Sequence, residues 1–260
     1  MSIHPTAVLD PQAAIDPTAQ IGPFCVVGPN VSIARNVVLH SHVHIGGHTE
    51  IGEETEIYPF ACLGEPPQDL KYRGEASRLA IGARNRIREH VTIHPGTAGG
   101  GGVTSVGDDN LIMIGSHIGH DCRVGSRVVM SNNVQLAGHV EVGDHCVLYA
   151  GAAVQPFLRI GESVFLAAKA GVMQDLAPFT WCQGHPARVL RVNRVGLERR
   201  GLDPDEMHMV ERALGLIFLS KLRPREAFAK TRSLFPESGE VERLVAFLEK
   251  SERGFARVRA

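Results

Sequence analysis

Aromatic residues are scarce in this chain: three tyrosines, ten phenylalanines and one tryptophan among 260 residues, 5% of the total. A core of packed rings is therefore not expected. No apolar run approaches the ~18–20 residues of a membrane span, so membrane insertion is not expected either. The opening MSIHPTAVLDP lacks the charged and apolar regions of a signal peptide, which points to the cytoplasm. Net charge is only −1, so the chain as a whole has no pull toward nucleic acid. The five cysteines are scattered, odd in number and without a CxxC pair, which argues against a disulfide framework or a zinc ribbon. They read as small buried hydrophobes. Nor is there a nucleophile elbow around a serine or cysteine. Charge is uneven along the chain, net −6 over residues 1–184 and +5 over 185–260, so an acidic partner is expected at the C-terminal part.

What the chain has is period. From Ile3, every sixth residue through Leu63 is aliphatic, and the same register returns at Ile81, Ile87 and Ile93. After one shift it runs again from Val106 to Val172, with Met130 the single departure from Leu, Ile or Val. Glycine often follows the aliphatic, as at Gly28, Gly52, Gly119 and Gly125. The fourth position after it is small or β-branched, as at Ala19, Cys25, Val37, Ser116, Cys122 and Cys146. Period six is neither a helix nor an ordinary strand; it is the hexapeptide signature of a parallel β-helix. Three hexads make one triangular coil of 18 residues, and glycines are expected at corners where unusual φ is needed.

Two segments interrupt the hexads. GEPPQDLKYRGEASRLA lies between Leu63 and Ile81, a gap of 18 residues that reads as one coil's worth of ejected chain. HPGTAGGGGVTS lies between Ile93 and Val106 and shifts the register. The expected organisation is a β-helix over 1–184, with loops 64–80 and 94–105 ejected, and a helical domain over 185–260. In the latter, Asp203 and Pro204 form a helix start before the apolar stripe Val210, Ala213, Leu214, Ile217 and Phe218. A second helix is predicted after Pro224, and a third carries Val241, Leu244, Val245 and Leu248.

The stretch MIGSHIGHDCRVG contains His117, His120 and Asp121. In a coil of 18, residue 120 neighbours Gly138 and residue 121 neighbours His139. One outward corner should therefore gather two histidines, an aspartate and a bare glycine. A histidine supported by a carboxylate suits general-base work on a hydroxyl. A glycine N–H beside it suits a developing oxyanion. Together they suit acyl transfer to an alcohol from an activated thioester, with no covalent nucleophile.

The period resembles that of the hexapeptide-repeat acyltransferases, whose left-handed β-helices form trimers. The segments GEPPQDLKYRGE, HIGHDCRVG, LAGHV and QGHPARVLRVNRVGLERRG resemble, more narrowly, the UDP-N-acetylglucosamine O-acyltransferases of lipid A synthesis. The resemblance implies an all-β left-handed β-helix with a C-terminal α-helical domain. It implies a homotrimer that moves an (R)-3-hydroxyacyl group from acyl carrier protein to the sugar 3-hydroxyl, with no cofactor and no metal. By the same resemblance His120 is the base, Asp121 its support and Gly138 the oxyanion donor. His117, His139, Gln68, Asp69 and Lys71 contact substrate. Asn193, Arg199 and Arg200 lie near the uridine diphosphate, and Ala168 stands at the floor of the acyl pocket. The chain departs from the family at Pro156, at His185-Pro186 and at Ala168, where glycine is usual. These departures leave a 3-amino acceptor, and hence N-acylation, as an alternative. A metal site like that of the γ-class carbonic anhydrases is a weaker one, because His117 and His120 are too closely spaced.

Overall fold

The computed structural model describes residues 2–258. Short strands, mostly of two residues, stack into three sheets of 11, 9 and 8 strands, parallel except for the last strand of the first. Each sheet is one face of a triangular prism. The first face includes Val129–Met130, Val147–Leu148, Phe165–Leu166 and Thr180–Gln183. The second includes His117–Ile118, Gln135–Leu136, Ala153–Val154 and Gly171–Val172. The third includes Arg123–Val124, Glu141–Val142 and Arg159–Ile160. Register follows the sequence arithmetic: Ile118 pairs with Leu136 and Leu136 with Val154.

The aliphatic columns fill the prism. Ile45, Leu63, Ile93, Ile118 and Leu136 are all 0% exposed, whereas Ile3 at the open end is 39% exposed. Burying each such side chain contributes about 1.5–3 kcal/mol. The small inward slots hold Cys25, Cys122 and Cys146, whose thiols donate to the carbonyls of His40, Ala137 and Gly161. Burial pushes the Cys122 and Cys146 thiols up to about 12, so they are neutral and inert.

Two details correct the sequence reading. Ile51 pairs with Ile81, 30 positions on rather than 18, so the first loop adds 12 residues and not a whole coil. Twelve is two hexads, which is why the period returned unchanged. The second loop adds seven, since Ile93 pairs with Ile118, and so shifts the phase by one. Nor do most hexad glycines sit at positive φ. A Cβ on Gly119 would lie 2.9 Å from the backbone of Ala137 and Gly138, and one on Gly52 would lie 2.4 Å from Gly82. Glycine is needed there because successive coils pass too closely for a side chain. The corners with positive φ carry other residues, among them Asp121 (61°), His139 (63°) and Phe157 (64°). Such corners are strained for L-residues and are held by the coil-to-coil hydrogen bonds, as from His139 N–H to the His120 carbonyl at 2.9 Å.

Beyond Val172 the hexads end and Thr180–Gln183 pairs antiparallel with Arg188–Val192. Four helices follow: α1 (Arg194–Arg199), α2 (Pro204–Leu219), α3 (Pro224–Leu234) and α4 (Gly239–Glu249). Asp203 caps α2, accepting from the Asp205 and Glu206 N–H groups. A second apolar cluster of Phe179, Leu197, Val210, Leu214, Phe228, Leu244 and Leu248 ties the helices to the last coil.

Candidate active site

The corner between the second and third faces carries His120 and Asp121. His120 Nδ1 lies 2.7 Å from Asp121 Oδ2, and His139 Nε2 lies 3.7 Å from the same oxygen. The Asp121 side chain is fully buried, while His120 and His139 keep 17% and 20% exposure. The sequence placed Asp121 facing outward; the second ejected loop covers it. Thr97 donates to Asp121 from its backbone N–H to Oδ1 at 2.8 Å and from its hydroxyl to Oδ2 at 2.7 Å. The Asp121 N–H donates in turn to Thr104 Oγ1 at 2.7 Å. The run of glycines makes this possible: a Cβ on Gly100 would lie 2.0 Å from Asp121 Cγ. Two donors from Thr97 thus fix the carboxylate, and it fixes the His120 ring.

Gly138 lies under that ring. A Cβ there would stand 2.6 Å from His120 Cε1 and Nε2, so any side chain would displace the imidazole. Among the described residues the Gly138 N–H has no acceptor. The ring nitrogen facing away from Asp121 is thus packed against a glycine whose N–H is unused among the described residues. His139 stacks on Phe157 at 4.2 Å and meets His120 edge-on at 5.1 Å. Burial holds His139 below its ordinary pKa, against the Asp121 charge.

A cleft of about 470 Å³ opens beside this corner along the second face, lined by Gln68, His94, His117, His120, Gly138, Gln155, Pro156 and His185, among others. His117 Nδ1 lies 2.8 Å from Thr92 Oγ1, and its ring meets His94 edge-on at 4.9 Å. Burial, then the charges of His117 and His120, push His94 down to about 4. Burial, then the charge of His120, lowers His117 as well. Both are neutral near pH 7. The first loop reaches in through Gln68, whose N–H faces His94 Nδ1 at 3.4 Å. Asp69 and Lys71 lie near enough for their charges to act on His139, and Asp69 also accepts from the Lys71 N–H at 3.0 Å.

The remaining expected residues lie elsewhere. Asn193, Arg199 and Arg200 line a cleft of about 910 Å³ on the first face. Asn193 is a buried cap of α1, accepting from Gly196 N–H and donating to the Ser163 carbonyl. Arg200 is engaged by Glu162 at 2.8 Å and Glu240 at 3.1 Å. Arg199 is exposed and makes no ion pair among the described residues. Ala168 is exposed at the corner between the first and second faces and lines neither cleft. Sequence reasoning missed Thr97, Thr104 and Gly100. A threonine ahead of four consecutive glycines was the available signal, but only the loop's closure reveals its target. His120, Asp121 and His139 also offer ligand atoms within 4.8 Å of one another, a spacing that a metal ion can span.

Comparison with known proteins gives this geometry a context. The acyl-[acyl-carrier-protein]–UDP-N-acetylglucosamine O-acyltransferase of Alkalilimnicola ehrlichii is 44% identical over 198 residues, 76% of this chain and 77% of that one. The chain belongs to the UDP-N-acetylglucosamine O-acyltransferase family. The family's "Domain 2" profile matches residues 175–256, and the bacterial transferase hexapeptide profile matches 103–138. The solved UDP-N-acetylglucosamine acyltransferase of Francisella novicida is 40% identical, with a TM-score of 0.96 over 98% of this chain and 94% of its own. That of Arabidopsis is 29% identical, with a TM-score of 0.85 over 99% and 100%. The fold is accordingly the left-handed β-helix of these O-acyltransferases, closed by helices.

Proposed function

We infer that this protein is an acyl-[acyl-carrier-protein]–UDP-N-acetylglucosamine O-acyltransferase, which moves an (R)-3-hydroxyacyl group onto the sugar 3-hydroxyl in the first step of lipid A synthesis. The observation that carries the mechanism is the His120 ring, anchored to Asp121 on one nitrogen and packed on the other side against Gly138, whose N–H has no acceptor among the described residues. His120 Nε2 takes the proton of the 3-hydroxyl as its oxygen attacks the thioester carbonyl. The Gly138 N–H donates to the oxyanion of the tetrahedral intermediate. The C–S bond then breaks, and the phosphopantetheine thiolate takes the proton from His120. Asp121 keeps the Nδ1 hydrogen directed at itself and stabilises the imidazolium. His117, His94 and His139, all held below their ordinary pKa values, stay neutral around the one base.

The acceptor's sugar lies along Gln68, His117 and His139 in this reading, with Asp69 and Lys71 at the loop. Asn193 shapes the nucleotide subsite through α1, and Arg199 offers the diphosphate a free planar donor pair. Arg200 serves by holding α1 to Glu162 and Glu240. The two clefts lie on adjacent faces of the prism. Three prisms around a threefold axis, with the Ala168 corner toward the axis, bring the first face of one copy against the second face of the next. A homotrimer therefore completes each site from two copies and closes Ala168 over the end of the acyl pocket. The acidic acyl carrier protein is drawn by the basic helical part.

Turnover tests the reading. Purified protein with acyl carrier protein thioesters of graded length should acylate UDP-N-acetylglucosamine, and His120→Ala should lower kcat about 10³-fold while leaving the assembly intact. A 3-amino acceptor in the same assay reports N-acylation. Near-normal turnover of the variant would remove His120 as the base.

A further inference from the structure

The cleft on the first face holds a feature that neither the catalytic cluster nor the expected diphosphate contacts use. In a chain with 14 aromatic residues, three form one outward ladder. Tyr149 lies 4.8 Å from Phe165, and Phe165 lies 5.2 Å from Trp181, the single tryptophan. Arg191 continues the ladder, its guanidinium 3.7 Å above the indole. All four line the 910 Å³ cleft. Tyr149 is 46% exposed, so the wall opens outward rather than closing into the core. The Trp181 Nε1 is buried without a partner among the described residues, a disfavoured state for an N–H group.

The charge around this wall has one sign. Arg127, Arg191 and Arg199 line the cleft and make no ion pair among the described residues. Glu198 is the one carboxylate among the lining residues, and Arg194 is committed to Glu211. His145, on the same side, is held below its ordinary pKa by burial first and then by the charges of Arg200 and Arg127. An apolar wall of mutually tilted rings, with Arg191 lying over the indole and Arg127 and Arg199 beside it, offers ring surface and donors to a planar base carrying phosphates.

We propose that Tyr149, Phe165 and Trp181, with Arg191 stacked on the indole, are the wall that selects the nucleobase of the acceptor, and that Arg127 joins Arg199 at its diphosphate. This rests on the reading that the acceptor is a UDP-sugar. It adds the residues that recognise the base, a stacking function that the phosphate contacts cannot supply.

Trp181 is its own reporter. Uridine diphosphate added to the wild-type protein should quench the tryptophan emission saturably, and N-acetylglucosamine 1-phosphate at equal concentration should not. Trp181→Leu should raise KM for UDP-N-acetylglucosamine about tenfold, with kcat and KM for the acyl donor within about twofold. Trp181→Phe should restore most of the loss. Unchanged emission at saturating uridine diphosphate, in protein that turns over, would overturn the wall and leave the acceptor reading standing. So would a Trp181→Leu effect confined to the acyl donor. Absence of both turnover and quenching would take the acceptor reading down with it. The emission arm uses wild-type protein, so it stands even where a Trp181 variant folds poorly.

Discussion

The two clefts of this molecule are built in opposite ways. On the second face, the groups beside the reacting centre are held on every side: Asp121 by Thr97 and His120, the His120 ring by Asp121 and by the bare Gly138 beneath it. On the first face, Tyr149 is half exposed and Arg127, Arg191 and Arg199 make no ion pair among the described residues. The difference is one of task. Proton transfer and oxyanion stabilisation need atoms fixed before the substrate arrives. A nucleotide subsite needs unspent donors and an open ring face. Changes at the first kind of site should lower kcat, and changes at the second should raise KM.

The sharpest way to break that contrast is at Gly138. Gly138→Ala inserts a methyl 2.6 Å from the His120 ring and should reduce kcat about 10²-fold with KM for both substrates nearly unchanged. A rise in KM alone would show that Gly138 binds rather than catalyses. Next comes the clamp on Asp121. Thr97→Val removes one of its donors and should reduce kcat about tenfold, whereas Thr97→Ser should retain most of the rate. Equal losses for the two variants would mean that the hydroxyl is not what matters. On the other face, Arg199→Ala should raise KM for the UDP-sugar about tenfold and leave kcat alone. A fall in kcat with unchanged KM would reverse the assignment of the two clefts.

The smallest effect concerns stability. His94 is neutral when folded down to about pH 4, while the unfolded chain takes up a proton near 6.5. The unfolded state therefore binds more protons between these values, and stability falls as pH drops from 6.5 toward 4. His94→Asn should flatten that slope by less than one proton's share, about 1.4 kcal/mol per pH unit, in denaturant titrations at several pH values. An unchanged slope would place the acid sensitivity elsewhere.

Much of the His120 corner was legible because an 18-residue coil turns sequence spacing into neighbourhood. His120 falls beside Gly138 and Asp121 beside His139 by addition alone, and the observed strand register agrees. What arithmetic could not reach lies where the period breaks. Thr97 belongs to an ejected loop whose path the hexads do not constrain. Phe165 pairs with Trp181 at an offset of 16, because the last coil is irregular, so the aromatic wall had no periodic trace. Arg200 and Asn193 looked like ligand contacts, yet the structure spends them on Glu162, Glu240 and the cap of α1. Ser163, Glu162 and Glu240, which hold them, are 30 to 40 residues distant, which spacing alone does not reveal. The hexad glycines were legible as a pattern but not in their cause, which is the close approach of one coil to the next.

The separation of chemistry on one face from nucleotide recognition on another can be read in a single protein. The most direct measurement takes one protein, His120→Ala, and reads both turnover and the uridine diphosphate titration of Trp181 emission. Turnover should fall about 10³-fold with the titration midpoint unmoved. Turnover near that of the wild type, or a midpoint displaced as far as the rate, would contradict that separation.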